Sequence, residues 1–147
     1  MRGRAALAGG FILAGDAARR MGGPITVVRA KDRRPPASQT PGMVREEAFS
    51  GDGVWAGYVR TEPNKPSAWH HHGDHDSYIY VIEGRMRFQF GADPEQSVEA
   101  GPGDFVRVPP NTVHREDNPS SQEGRLVVLR FGKGPPNVNV DGPHVHV

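Results

Sequence analysis

Residues 68–84 read AWHHHGDHDSYIYVIEG, and two signals meet in them. The second half, SYIYVIEG, is rich in aromatic and β-branched residues and ends at a glycine, the pattern of a short strand. If Ser77 faces inward, Ile79 and Val81 share its face, while Tyr78, Tyr80 and Ile82 face the other way. The first half holds four of the chain's seven histidines, His70, His71, His72 and His75. In a strand, residues two apart point to the same side, so His70 and His72 can converge on one point and His71 points away.

The same strand texture continues on both sides. VWAGYVRTE, RMRFQFG, QSVEAG, DFVRVPP, TVHRED and RLVVLRFG are short β-forming runs, each ended by a charged or turn residue. RMRFQF places Met86, Phe88 and Phe90 on one face and Arg85, Arg87 and Gln89 on the other. Short strands at even spacing, with no amphipathic helix between them, predict an all-β sandwich or barrel. Residues 25–29 are a further strand candidate. The Pro-rich run that follows, DRRPPASQTPGM, cannot donate a regular ladder, and the tail, GPPNVNVDGPHVHV, is expected to run along the surface.

A chain of 147 residues predicts one domain, here residues 25–147. Residues 1–24 read as a weakly structured N-terminal extension. Their apolar run, residues 5–14, follows two arginines as in a secretory signal, but it contains two glycines and lacks a clean cleavage site. It is also too short to span a membrane. Met21 is the expected start of the protein proper. The chain has no cysteine, which excludes disulfides, thiolate metal sites and a cysteine nucleophile and fits a cytoplasmic location. Lys plus Arg number 18 and Asp plus Glu 17, so no basic face for nucleic acid is expected. There is no nucleophile elbow and no phosphate-binding glycine loop.

Without cysteine, a metal site must use nitrogen and oxygen ligands. His70 and His72 need a third partner, and His114 is the candidate, because it follows a Pro-Pro-Asn turn directly after DFVRVPP. Imidazole suits a divalent transition metal: Fe, Mn, Ni, Zn or Cu. The alternative is that these histidines are ordinary surface or core residues. His144 and His146 repeat the two-apart spacing in the tail, where a solvated end or a cloning remnant is the simpler reading.

The spacing of these residues resembles the cupin superfamily, small single-domain members in particular. The first cupin motif, G-x5-H-x-H-x3,4-E-x6-G, is matched by His70, His72 and Gly84, with Asn64 at the leading glycine and Ser77 at the glutamate. The second, G-x5-P-x-G-x2-H-x3-N, is matched by Gly103, Pro109, His114 and Asn118, with Asn111 in place of glycine. Asn tolerates the left-handed turn that glycine would serve. The resemblance covers roughly residues 42–133. It implies a double-stranded β-helix (jelly-roll) barrel with an irregular N-terminal extension, one divalent metal held by His70, His72 and His114, and a homodimer paired through its sheets.

The family's fourth ligand falls on Ser77, which carries no charge. A bare three-histidine site is therefore expected, with His75 or Ser77 as a possible fourth ligand or a group behind the ligands, and Asp76 as a further substitute. Such a site leaves the metal's charge uncompensated and attracts anionic, bidentate ligands. Asp74, Asp76, Glu116 and backbone carbonyls are the candidates for orienting the imidazoles. The implied function is a metal-dependent enzyme on a small organic molecule, dioxygenase-like or else an isomerase or lyase. The alternative is a non-catalytic small-molecule-binding or regulatory protein. Trp69 and Trp55 read as core packing or pocket wall, and Arg60 as a surface residue or an anion anchor.

Overall fold

The computed structural model describes residues 22–92 and 95–143. The expected extension therefore lies outside them except for residues 22–24, and so do His144 and His146. Ten strands form in chain order: β1 (Met43–Gly51), β2 (Val54–Thr61), β3 (His70–His71), β4 (Asp76–Glu83), β5 (Met86–Phe90), β6 (Gln96–Ala100), β7 (Phe105–Val108), β8 (His114–Asp117), β9 (Gly124–Phe131) and β10 (Val138–Asn139). They make two antiparallel five-stranded sheets, ordered β1-β2-β9-β4-β7 and β10-β3-β8-β5-β6. Apart from the hairpins β1–β2 and β5–β6, every connection crosses from one sheet to the other. This is the all-β fold that the strand pattern predicts, in the jelly-roll form that the resemblance implies.

Alternation sets which side chains meet between the sheets. Ser77, Ile79 and Val81 are buried, while Tyr78, Tyr80 and Ile82 are exposed on the outer face. β9 reads GRLVVLRF with strict inward burial of Gly124, Leu126, Val128 and Arg130. The core joins Met43, Trp55, Val59, Ile79, Val81, Met86, Phe88, Ala100, Val108, Leu126 and Val128 from both sheets. Each large aliphatic or aromatic member contributes about 1.5–3 kcal/mol by leaving water.

Three turns depend on left-handed backbone. The β1–β2 hairpin closes on Asp52 and Gly53, with φ of 49° and 78°, the two-residue turn whose twist matches the flanking strands. Asn64 and Asn111 have φ of 55° and 57°, so asparagine does adopt the turn that glycine would serve at both motif positions.

Two sequence expectations change, and one strand carries no sequence signal. Residues 25–29 form no strand; Ile25 is almost wholly exposed, and a single 3-10 turn follows at Ala30–Asp32. β1 was hidden because its second inward residue is an arginine, Arg45, which breaks the apolar alternation. The tail is also more than surface coil. Val138 and Asn139 pair with His71 and His70, and the Asn137 side chain is buried against Thr40. Among the described residues no helix is long and apolar enough to cross a membrane.

Candidate metal centre

β3 and β8 set the site. They are adjacent in the second sheet, and His70 lies directly opposite His114 in the register. His72 follows β3, and the ring centroids of His70, His72 and His114 lie 4.4–5.4 Å apart. Glu116, two residues after His114 on the same strand, shares its inward face. One ligand atom from each of these four buried residues lies within 4.8 Å of the others.

The rings are held in the tautomer a metal requires. His70 Nδ1 donates to the Ala68 carbonyl at 2.9 Å and His114 Nδ1 to the Thr112 carbonyl at 2.8 Å. A carbonyl only accepts, so in each neutral ring the proton sits on Nδ1 and the Nε2 lone pair is free. His72 Nδ1 meets Ser77 Oγ at 2.7 Å, while Arg130 Nη2 approaches His72 Nε2 at 3.4 Å. Arginine only donates, so His72 also carries its proton on Nδ1. Such orientation through the second ring nitrogen is the usual support of a metal-binding histidine.

The inward atoms are unsatisfied. His70 Nε2, His114 Nε2 and Glu116 Oε2 are buried without a hydrogen-bond partner. Leaving polar atoms buried and unpaired costs roughly 1–3 kcal/mol each. Glu116 Oε1 lies 3.8 Å from His70 Nε2 and 3.4 Å from His114 Nε2, and a cation between them would satisfy both imidazoles and the carboxylate, so the residues present fit a divalent ion. The nitrogen and carboxylate donors suit the first-row transition metals.

Electrostatics support the same arrangement. Burial, with His114 adding to it, pushes the His70 imidazole down to about 3. Burial and then Arg130 push His72 well below its ordinary value. Both rings are therefore neutral and available at pH 7. Burial pushes Glu116 up, but the neighbouring His114 and the charged Arg45 outweigh it and hold the carboxyl below its ordinary value, hence ionised.

The facing sheet supplies a cationic wall. Trp55, Arg130 and Ser77 are side-by-side register partners across β2, β9 and β4. The Arg130 guanidinium stacks over Trp55 at 4.8 Å, and Trp55 Nε1 is fixed by Glu47 Oε1 at 2.9 Å. Gly57 makes room for this stack, since a side chain there would collide with the Trp55 ring and with the Glu46 carbonyl. Burial lowers Arg130 to about 9, which leaves it charged at neutral pH. Arg45, also fully buried, donates to Thr40 Oγ1 at 2.8 Å.

Sequence reasoning had named the three histidines, and the structure brings them together. It places the other candidates elsewhere. His75 Nδ1 is bound to the His72 carbonyl at 2.9 Å, outside the cluster. Ser77 supports His72 from behind. His71 Nδ1 accepts from the Gly73 amide at 3.0 Å. Asp76 pairs with Arg107 and Asp74 accepts from Asn111. Arg60 is a surface residue shared between Glu46 and Glu123. Trp69 is half-buried beneath the Arg115 guanidinium. Beside the three histidines the structure places one carboxylate, Glu116. The sequence suggests Glu116 only as an orienting acceptor, although His114-x-Glu116 has the same two-residue spacing as His70 and His72. Arg45 and Arg130 carried no signal of their own, because arginine at an inward strand position reads as surface.

Comparison with known proteins gives the same picture. Residues 57–130 match the family model described as Cupin domain. No curated protein matches the sequence significantly. Among solved structures, a single-site variant of oxalate decarboxylase from Bacillus subtilis is similar at a TM-score of 0.63 and 20% identity, over 76% of this chain and 31% of that one. An oxalate decarboxylase formate complex from Lactobacillus farciminis has a TM-score of 0.63 and 14% identity, over 75% of this chain and 34% of that one. An uncharacterized conserved protein with a double-stranded beta-helix domain from Klebsiella pneumoniae matches along its whole length, over 81% of this chain, with a TM-score of 0.62 and 15% identity. This chain therefore spans about a third of the length of the oxalate decarboxylases it matches.

Proposed function

The chain belongs to the cupin family, and from that premise we propose that it is a metal-dependent enzyme acting on a small organic molecule. In this reading His70, His72, His114 and Glu116 hold one divalent transition metal, and the substrate coordinates it directly at the remaining positions. The observation that carries the reading is the convergence, from one sheet, of the buried His70 Nε2 and His114 Nε2, which have no hydrogen-bond partner, with Glu116 Oε1 3.8 and 3.4 Å from them. A divalent ion there would polarise a bound carboxylate, enolate or hydroxyl and lower the pKa of bound water.

The protein's own groups supply the rest. Ser77 and the two backbone carbonyls fix the imidazoles. Arg130 and Arg45 outnumber Glu116 as buried charges, so an anionic substrate is favoured once the metal adds its own positive charge. Arg130 Nη2 donates toward His72 Nε2 at 3.4 Å. A metal on that nitrogen would displace this contact and free the guanidinium for a coordinated anion. The likeness to oxalate decarboxylases supports the fold and assigns no substrate.

The reaction type is dioxygenase-like, with isomerase or lyase chemistry next. Oxygen uptake by the iron-loaded protein, measured against a panel of keto-enols and thiols, tests it: a substrate-dependent uptake lost in His114→Ala is expected. The second reading is a non-catalytic small-molecule-binding or regulatory protein. It is favoured because Glu116, the carboxylate facing the centre, is itself a candidate ligand. Ligand binding without turnover across oxygen-uptake, isomerisation and cleavage assays would select it.

The proposal extends to assembly and location. Tyr78, Tyr80, Ile82, Phe105, Leu129 and Phe131 form an exposed apolar field on the outer face of the first sheet. A second copy of the chain would cover it as a homodimer. The cysteine-free composition suits the cytoplasm.

A further inference from the structure

The space between the sheets is polar on one side of the cluster and apolar on the other. Register explains the division. In the second sheet, Phe90 lies opposite His114 and Phe88 opposite Glu116, and both aromatic residues pair onward with β6, Phe88 with Val98. In the first sheet, Val108 lies opposite Ser77, whose hydroxyl supports His72. The four-residue cluster thus runs directly into an apolar cavity of about 340 Å³. Phe88, Phe90, Val98, Val106, Val108 and Pro109 line it together with His114.

Two independent features meet at that ring. His114 is buried with an unpartnered Nε2 facing the other ligand atoms, and the same side chain borders the cavity. Arg107, at the cavity wall, is paired with Asp76 at 3.0 Å and offers no free charge to the interior. The positive charge instead lies behind the cluster, on Arg130 and Arg45. A ligand filling both regions must therefore be anionic and chelating at one end and apolar at the other. A closed apolar cavity of about 150 Å³ already accepts a benzene ring, so this one has room for an aryl or branched alkyl group.

We infer that the substrate class of this centre is amphipathic: a small acid whose carboxylate and neighbouring oxygen chelate the metal while an aryl or branched alkyl body lies in the cavity lined by Phe88, Phe90, Val98 and Val106. The inference rests on the proposed metal-dependent reading and narrows it. Molecules consisting of the chelating head alone would leave the apolar walls in contact with water and bind weakly.

The test compares two acids with the same bidentate head, glycolate and mandelate, by calorimetry on the zinc-loaded full-length protein. Burial of the phenyl group should make mandelate bind at least about tenfold tighter. Val98→Trp on β6 and Val106→Trp on β7 fill the cavity from opposite sheets, and Val98 is half exposed, so the fold tolerates a larger side chain there. Each variant should bring the mandelate-to-glycolate ratio to within about threefold, with zinc content per chain measured alongside as the check on folding. Glycolate binding with no preference for mandelate would overturn this inference and leave the proposed metal centre standing. So would a preference that both tryptophans leave intact. Binding of neither acid by protein that does hold zinc would overturn the proposed open coordination as well.

Discussion

At the residue scale, each candidate ligand depends on a partner that fixes its direction. Glu116 illustrates what was legible and what was not. Its spacing from His114 was visible, but a carboxylate two residues after a histidine on a strand also suits an ion pair or a solvated face. Only the pairing of β3 with β8 shows that its face is the one His70 occupies. Glu116→Gln should weaken zinc affinity by at least about tenfold, as expected for losing the charged donor, in a competition titration with a chromogenic chelator. An affinity equal to that of the unaltered protein would remove Glu116 from the set. Ser77 is the converse case. The motif places it at a ligand position, yet its hydroxyl holds His72 Nδ1 at 2.7 Å. Ser77→Ala should cost about 10–100-fold in zinc affinity, the usual effect of removing a group that orients a ligand, while leaving one zinc bound per chain at saturation. A loss of stoichiometry would instead make Ser77 a ligand.

At the element scale, strands with apolar inward residues were readable and those with polar ones were not. β4, β5, β7 and β9 show clean alternation, and the structure places them within a residue or two of the sequence reading. β1 escaped because Arg45 occupies an inward position, and β10 because two residues of ladder carry no periodicity. Both sit at the polar end of the site, where function replaces the apolar pattern with charge. The row Trp55–Arg130–Ser77 across three strands is a tertiary product of this kind. Its geometry depends on Gly57, over which the Trp55 ring lies. Gly57→Ala should force the ring aside and destabilise the protein by about 1–3 kcal/mol in thermal or urea unfolding. An unchanged midpoint would show that Trp55 and Arg130 have freedom the packing does not suggest.

At the scale of the whole molecule, the metal-free protein buries neutral histidines beside charged arginines and is sensitive to acid. The unfolded chain takes up a proton at His70 near the ordinary value of 6.5, whereas the folded protein does so only near 3. Between these values the unfolded state binds more protons, so stability falls as pH drops through that window and is fully retained above it. His72 acts in the same direction. The midpoint of urea unfolding of the metal-free protein should therefore fall steadily from pH 7 to pH 4, and a flat profile would contradict the neutral assignment of these rings. Assembly is tested by Leu129→Glu, which places a charge in the exposed apolar field and should convert a dimer to a monomer in light scattering. The most direct test of the account is the stoichiometry of zinc on chelator-stripped protein, followed by calorimetry for the native chain and for His114→Ala. The account predicts one ion per chain in the native protein, with affinity at least about a hundredfold weaker in the variant; equal binding by the two proteins, or none by the native one, would contradict it.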